Sequence, residues 1–244
     1  MVDTIMFDMG GTLEDIWYSE KTTRMAARRV QEMLAAAAGG DTQDEAAFCA
    51  QLMEGIAAYK AWSENNMREL KPEEIWPEYY LKSFAFPTDT VRAMAENLAG
   101  MWEVTFFQRE LRPGVAKTLA ALREKGYHMG VISNTASLYS VFDVLEAYGI
   151  RGFFSNITLS SVTGYRKPHG EIFKIALREM NADAAQCAYI GDTISRDISG
   201  ARQAGFGKVI QIRSFLSGEK DKNVDATWQP DAVIEEIPDL LELF

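Results

Sequence analysis

Cysteine and histidine are almost missing from this 244-residue chain, which holds two of each. Cys49 and Cys187 cannot build a disulfide framework or a Cys-based zinc site. No uninterrupted apolar run approaches the ~20 residues that a membrane helix needs. The opening MVDTIMFDMGG has no basic lead before an apolar stretch, so no secretory signal is visible. The expectation is a soluble, cytoplasmic protein with no membrane partner. Positive charge is also short: 25 Lys and Arg face 35 Asp and Glu, a formal net charge of −10. A diffuse nucleic-acid binder needs surplus cation to displace phosphate counterions, so no nucleic-acid partner is expected, although a local positive site for one small anion stays open. The chain also lacks a Walker loop, a His-Glu-x-x-His helix and a Gly-x-Ser-x-Gly elbow, which removes three competing hydrolase classes.

What remains is ordinary globular material, 47% hydrophobic and 25% charged, enough for a substantial core. Thr4–Phe7 is a short apolar run that ends at Asp8 before Gly10-Gly11, the order of a buried strand and a sharp turn. From residue 16 to 108 the pattern turns helical, with no β-rich interruption. Trp17 to Ala38 predicts one helix, and Thr42-Gln43-Asp44-Glu45 reads as a capping box opening a second, to about Trp62. Pro72-Glu73-Glu74 opens a third and Thr88 to about Gln108 a fourth.

Beyond Arg112-Pro113-Gly114 strands and helices alternate. Helices are predicted at Val115–Lys125, Leu138–Tyr148, Gly170–Met180 and up to Gly205; strands at Tyr127–Ile132, Asn156–Leu159, Cys187–Ile190 and Lys208–Ile212. Such alternation means right-handed βαβ units and a parallel sheet. The fold class is therefore α/β, a doubly wound, Rossmann-like parallel sheet with an inserted all-helical domain: residues 1–15 and 109–244 form the core, and 16–108 the insertion. The acidic stretch Gly218–Asp225 reads as a solvated loop. No feature specifies an oligomeric state.

In an open parallel sheet, ligands bind at the carboxyl ends of the strands. The residues ending or following these strands are Asp8, Ser133, Lys167 and, just past Gly191, Asp192. Each alone has an ordinary explanation as a cap, a turn or a surface charge; together they mark one edge. Asp8, Asp192 and Asp197 would repel one another unless a cation neutralised them, and hard oxygens without His or Cys favour Mg²⁺. Mg²⁺, Lys167, a Ser hydroxyl and turn amides together suit a phosphoryl group. Other polar residues read more plainly. His169 is expected to cap the helix after it, Cys187 to be a buried small hydrophobe, His128 a core or edge residue. Of the many aromatics in 16–108, most should be internal packing, with Trp17-Tyr18 the best placed to touch a ligand.

Phe7-Asp8-Met9-Gly10-Gly11-Thr12-Leu13 resembles the first motif of the haloacid dehalogenase-like (HAD) hydrolase superfamily; Val131-Ile132-Ser133-Asn134 resembles the second, Arg166-Lys167-Pro168 the third and Gly191-Asp192-Thr193-Ile194-Ser195-Arg196-Asp197 the fourth. The order and spacing cover essentially the whole chain. The resemblance implies Mg²⁺-dependent hydrolysis of a small phosphorylated metabolite, with Asp8 as the nucleophile forming an aspartyl-phosphate. It implies a metal held by Asp8, the backbone carbonyl of Gly10 and Asp192, with Asp197 close by. Thr12, Ser133, Asn134 and Lys167 would contact the substrate, Ser133 and Lys167 acting on the transferring group, and the helical insertion would be a cap that excludes water.

Position 10 departs from the pattern. Phosphatases of the superfamily usually carry there a second Asp that passes the proton, a service typically worth ~10²–10⁴-fold. Gly10 still offers the carbonyl but no acid. Glu14 and Asp15 follow soon after, with nothing in the sequence to bring either to the leaving oxygen. Alternatives therefore stay open: a non-catalytic or weakly active relative binding a phosphorylated ligand or a partner, or a phosphonate-cleaving or dehalogenating hydrolase. The last two fit less well, because Lys21 and Lys60 do not match an imine-forming lysine and the fourth motif has the metal-binding form.

Overall fold

The computed structural model describes residues 2–38, 44–215, 217, 221 and 227–244. Its strands are β1 (Thr4–Phe7), β2 (Glu14–Trp17), β3 (Gln108–Leu111), β4 (His128–Ser133), β5 (Asn156–Leu159), β6 (Cys187–Gly191), β7 (Lys208–Ile212) and β8 (Ala232–Ile234). Six form one sheet in the order β5–β4–β1–β6–β7–β8, every pairing parallel. Central β1 is registered with Thr4 opposite both His128 and Cys187. Buried on both faces, β1 and β6 are near-continuous apolar runs, as a parallel sheet requires. Alternate side chains feed two cores: Ile5, Phe7, Val131 and Ile210 on one face; Met6, Ile132, Tyr189 and Val209 on the other. Successive strands run outward from β1 through β4 to β5 in one direction and through β6 to β8 in the other, so the order reverses between β1 and β6. Sheets of this kind bind ligands at that crevice.

The helices of residues 16–108 are α1 (Glu20–Ala38), α2 (Glu45–Asn66), α3 (Pro72–Ile75), prolonged by a wide turn over Trp76–Tyr80, and α4 (Thr88–Phe106). They enclose a third core built on Val30, Leu34, Phe48, Leu52, Leu98 and Trp102. The remaining main helices, α5 (Val115–Glu124), α6 (Ser140–Ala147), α7 (Ser160–Thr163), α8 (Gly170–Glu179) and α9 (Ser199–Gln203), lie along the rest of the chain.

Several expectations are corrected. No strand interrupts the helical stretch among the described residues, but a strand pair brackets it: β2 and β3 form a two-stranded antiparallel ribbon, Glu14 opposite Leu111 and Trp17 opposite Gln108. The domain boundaries expected at 15/16 and 108/109 fall inside this ribbon. Helix α1 starts at Glu20 rather than Trp17, because Ser19 and Thr22 exchange side-chain-to-amide hydrogen bonds (2.9 and 3.3 Å) that cap it there. Thr42 and Gln43 lie outside the described residues; within them Asp44 caps α2 by accepting from the Ala47 amide at 2.9 Å. Helix α6 begins at Ser140 rather than Leu138, since Glu96 of α4 accepts the Leu138 and Tyr139 amides (2.9 and 3.2 Å). The helix expected up to Gly205 opens as a π-type turn, Ile194–Ile198, before α9. Gly218–Asp225 lies outside the described residues apart from Asp221, and β8 had no counterpart in the sequence reading.

Three carboxylates, Glu64, Glu69 and Glu96, tie the helical block to the rest of the chain. Glu96 also accepts the Ser137 hydroxyl at 2.6 Å. Glu69, 4% exposed, accepts the Ser160 hydroxyl at 2.8 Å and contacts Tyr59 and Arg166. Arg196 meets Glu64 at 2.6 Å.

Candidate active site

Asp8 leaves β1 at the crevice where the strand order reverses, its amide donating to the Ile190 carbonyl of β6 at 2.9 Å. The turn beyond it is tight: the Leu13 amide returns to Met9 O at 2.9 Å and the Gly11 amide donates to Glu14 O at 2.8 Å. Gly11 has φ +89°, and a Cβ there would stand 2.3 Å from Asp192 Oδ2. Glycine is thus required twice over, for the backbone and for the approach of the acid. Gly11→Ala is expected to cost about 1–3 kcal/mol, read by denaturant unfolding, and to weaken binding of any ion that Asp192 holds.

Lys167 sits buried between two carboxylates. Its Nζ donates to Asp8 Oδ1 at 2.6 Å, to Asp197 Oδ1 at 2.7 Å and to the Tyr189 hydroxyl at 3.0 Å. Asn134, just beyond Ser133 at the end of β4, clamps the Lys167 main chain from both sides: its Oδ1 accepts the Lys167 amide at 2.8 Å and its Nδ2 donates to the Lys167 carbonyl at 3.1 Å. Asp197 Oδ2 accepts from the Thr193 amide (3.1 Å) and hydroxyl (2.6 Å). Asp192, after β6, accepts the Ser214 hydroxyl at 2.6 Å.

The electrostatics follow. Burial raises the Asp8 carboxyl, Lys167 draws it down and Asp197 raises it again, leaving it above the ordinary carboxylate range. Asp197 also suffers from burial, but Lys167 and the Thr193 hydrogen bonds hold it below that range. Lys167, despite burial, is held charged above its usual range by Asp197 and Asp8. Asp8, Asp192 and Asp197 each present a carboxylate oxygen within 4.8 Å of the others. The arrangement sets one lysine, bonded to two of them, against three acids, and a donor set of buried hard oxygens without His or Cys fits a divalent cation such as Mg²⁺.

These groups line a cavity of about 880 Å³, together with Gly10, Ser133 and Asn134. Among the described residues no side chain bonds the Ser133 hydroxyl, which is free to donate into that space. Thr12 is the correction: it is fully buried, does not line the cavity, and its hydroxyl has no partner among the described residues. Of the aromatic pair expected to reach a ligand, Tyr18 lines the cavity and Trp17 does not. His169 does cap α8, its Nδ1 accepting the Glu171 amide at 3.1 Å, while Cys187 is wholly buried and His128 opens β4 exposed.

Sequence reasoning left Glu14 unplaced. The ribbon folds it back beside Gly10, with Oε1 3.8 Å from where a residue-10 Cβ would stand. It is 1% exposed, meets Arg109 of β3 at 3.1 Å and accepts the Tyr148 hydroxyl at 2.8 Å. Burial pushes its carboxyl above the usual range, against the pull of Arg109 and Tyr148. The alternation Glu14-Asp15-Ile16-Trp17 was the available signal, since period two puts Glu14 and Ile16 on one strand face. Ser214 could also have been found, as it follows β7 at the same sheet edge. Asp221, which accepts the Ile194 and Ser195 amides at 2.8 and 3.0 Å, carried no signal.

A doubly wound sheet with acids and a buried lysine at its switch point defines a class of acid-based hydrolases. The chain belongs to the haloacid dehalogenase-like hydrolases, whose family pattern matches residues 2–205. It is 30% identical over 209 residues to a glyceraldehyde 3-phosphate phosphatase of Pyrococcus abyssi, covering 86% of this chain and 81% of that one. It is 32% identical over 131 residues to a protein of the same name from Methanothermobacter thermautotrophicus, a match to 54% of this chain that spans little more than half, 57%, of that relative. In three dimensions it resembles a 2-haloacid dehalogenase from Pseudomonas syringae, with a TM-score of 0.70 at 23% identity over 100% and 98% of the two chains, a likeness of fold. Among the described residues no helix is long and apolar enough to cross a membrane.

Proposed function

We propose that this hydrolase is a Mg²⁺-dependent phosphomonoesterase acting on a small phosphorylated metabolite through a phosphorylated Asp8. One observation carries the reading: Lys167 Nζ lies 2.6 Å from Asp8 and 2.7 Å from Asp197, on the wall of a cavity that Asp192 also lines. A dehalogenase needs a carboxylate nucleophile but has no use for two more buried acids beside it. The phosphatase names of the relatives point the same way.

In this reading an Asp8 oxygen attacks phosphorus, the ester P–O bond breaks and the departing alkoxide takes up a proton. Water then attacks phosphorus, releasing phosphate and restoring Asp8, so that ester and water become alcohol and phosphate. Lys167 holds Asp8 and offsets charge on the phosphoryl oxygens, and Ser133 donates to one of them. Asn134 acts one step away, by fixing the Lys167 main chain. Asp8, Asp192, Asp197 and the Gly10 carbonyl would hold Mg²⁺, which when bound supplies the positive charge that a phosphoryl group and three acids jointly demand. Glu14 is the proton carrier in place of the missing residue-10 acid. Its closeness to Gly10 and raised carboxyl support that role. Residues 16–108 serve as the cap, with the Glu69 and Glu96 contacts holding it over the site.

Phosphate release from a panel of phosphomonoesters, with Mg²⁺ and after chelation, tests the reading. Release that requires Mg²⁺ is expected. Equal background under both conditions across the panel, with tight binding of a phosphorylated ligand, would favour the non-catalytic reading.

A further inference from the structure

The wall facing the acids is apolar and aromatic. Phe106 stacks between Trp102 and Tyr18, with centroids 5.1 and 5.0 Å away, and Phe107 stands edge-on to Phe106 at 4.8 Å. Ile16 and Ile56 extend the same lining. Trp102 and Phe106 belong to the buried core of the helical block, but Tyr18 is 48% exposed, and Phe107, Ile16 and Ile56 are partly exposed.

Charge on this wall is already spent. Each of the described arginines lining the cavity has a carboxylate partner: Arg109 meets Glu14 (3.1 Å) and Glu103 (3.4 Å), Arg196 meets Glu64 (2.6 Å), and Arg166 meets Glu69. Lys167 is engaged by Asp8 and Asp197. Among the described lining residues, that leaves Lys60 as the cation without a carboxylate, and it is exposed to water, where an ion pair is worth little. Glu14 and Glu103 share Arg109 between them, so that guanidinium has no charge to spare for a ligand. A substrate with a second phosphate or a carboxylate would lose its hydration to meet these acids and gain no buried cation. The volume argues in the same direction: about 880 Å³ is the scale of a pocket for a ligand of many heavy atoms, far larger than a three-carbon phosphate.

We infer that the substrate is a monophosphate ester whose alcohol portion is uncharged and bears an apolar, preferably aromatic, group that lies against Tyr18, at the exposed end of the Trp102–Phe106–Tyr18 stack, and Phe107. This inference rests on the phosphatase reading and narrows it. It also predicts that glyceraldehyde 3-phosphate, small and without an apolar group, is a poor substrate.

The test compares 2-phenylethyl phosphate with ethyl phosphate, which share a primary alkoxide leaving group, so their kcat/KM ratio reads the wall and not the chemistry. Phosphoglycolate and glyceraldehyde 3-phosphate form the competing arms. With Mg²⁺, 2-phenylethyl phosphate is expected to exceed ethyl phosphate by about tenfold to a hundredfold, the value of burying one ring, and both competing substrates are expected to fall below it. Phe107→Ala should narrow the ratio chiefly through KM. A ratio near one, or a preference for either competing substrate, overturns the inference and leaves the phosphatase reading standing. The same four compounds, titrated calorimetrically into Asp8→Asn with Mg²⁺, separate the two. The same preference in binding with no turnover by the unaltered enzyme would support the substrate class and sink the phosphatase reading; binding without preference would sink the class.

Discussion

Asp8→Asn is expected to lower Mg²⁺-dependent phosphate release by about 10⁴-fold or more, the scale seen when a nucleophile is removed. Asn keeps the oxygen that accepts from Lys167 and nearly the same volume, so the loss reads nucleophilicity rather than collapse. Stability moves the opposite way. The Asp8 carboxyl is raised by burial and by Asp197 beyond what Lys167 recovers, so its contribution is fully present at acid pH and is lost as pH rises through that raised value. In chelator at neutral pH the variant should therefore melt higher than the natural protein, and the gain should fade as the solution is acidified. Activity and stability would diverge at one atom, as they do where function holds charge in an unfavourable place. An unchanged rate in Asp8→Asn contradicts the mechanism outright.

Glu14→Gln is expected to cost about 10²–10⁴-fold in kcat on an alkyl phosphate. Gln still accepts the Tyr148 hydroxyl, so the ribbon should persist, and a melting curve checks that. The decisive readout is leaving-group dependence. An alkoxide needs the proton, whereas p-nitrophenolate leaves well without it, so p-nitrophenyl phosphate should lose far less. A merely structural effect would slow both alike. The pH profile carries a second sign. Burial keeps Glu14 protonated to higher pH than an ordinary glutamate. Donation to the leaving group should fall as pH rises through that raised value, and this alkaline limb should vanish in Glu14→Gln.

The strands that build the site were legible because parallel strands buried on both faces are plain apolar runs. Asn156–Leu159 and Lys208–Ile212 have the expected bounds, and Asp8, Ser133 and Asp192 stand at the carboxyl ends of β1, β4 and β6 as the sheet rule requires. What escaped was set by partners remote in the chain. Trp17 carries helix-compatible chemistry, but pairing with Gln108 makes it the end of a strand. The α6 start moves because Glu96, from another helix, takes the amides that Leu138 and Tyr139 would have used. Thr12 looked like a ligand contact because it stands within the Asp8 motif; in the tight turn, where Arg112 donates to the Gly11 carbonyl at 2.9 Å, it is fully buried. Glu14 was visible as a nearby acid, yet its placement depends on Arg109 and Tyr148, which only the folded chain brings to it. Short-range pattern reads the sheet; it cannot read a ribbon whose two strands enclose the whole helical block.

The account turns on Asp8 carrying phosphate in turnover. Enzyme mixed with excess hydrolysable ester and Mg²⁺, quenched in acid within milliseconds and digested, can be mapped by mass spectrometry. The account predicts a phosphoryl group on the peptide containing Asp8, lost on treatment with hydroxylamine and missing from Asp8→Asn. Full turnover with that peptide unmodified at every quench time, or phosphate carried on another residue, would contradict it.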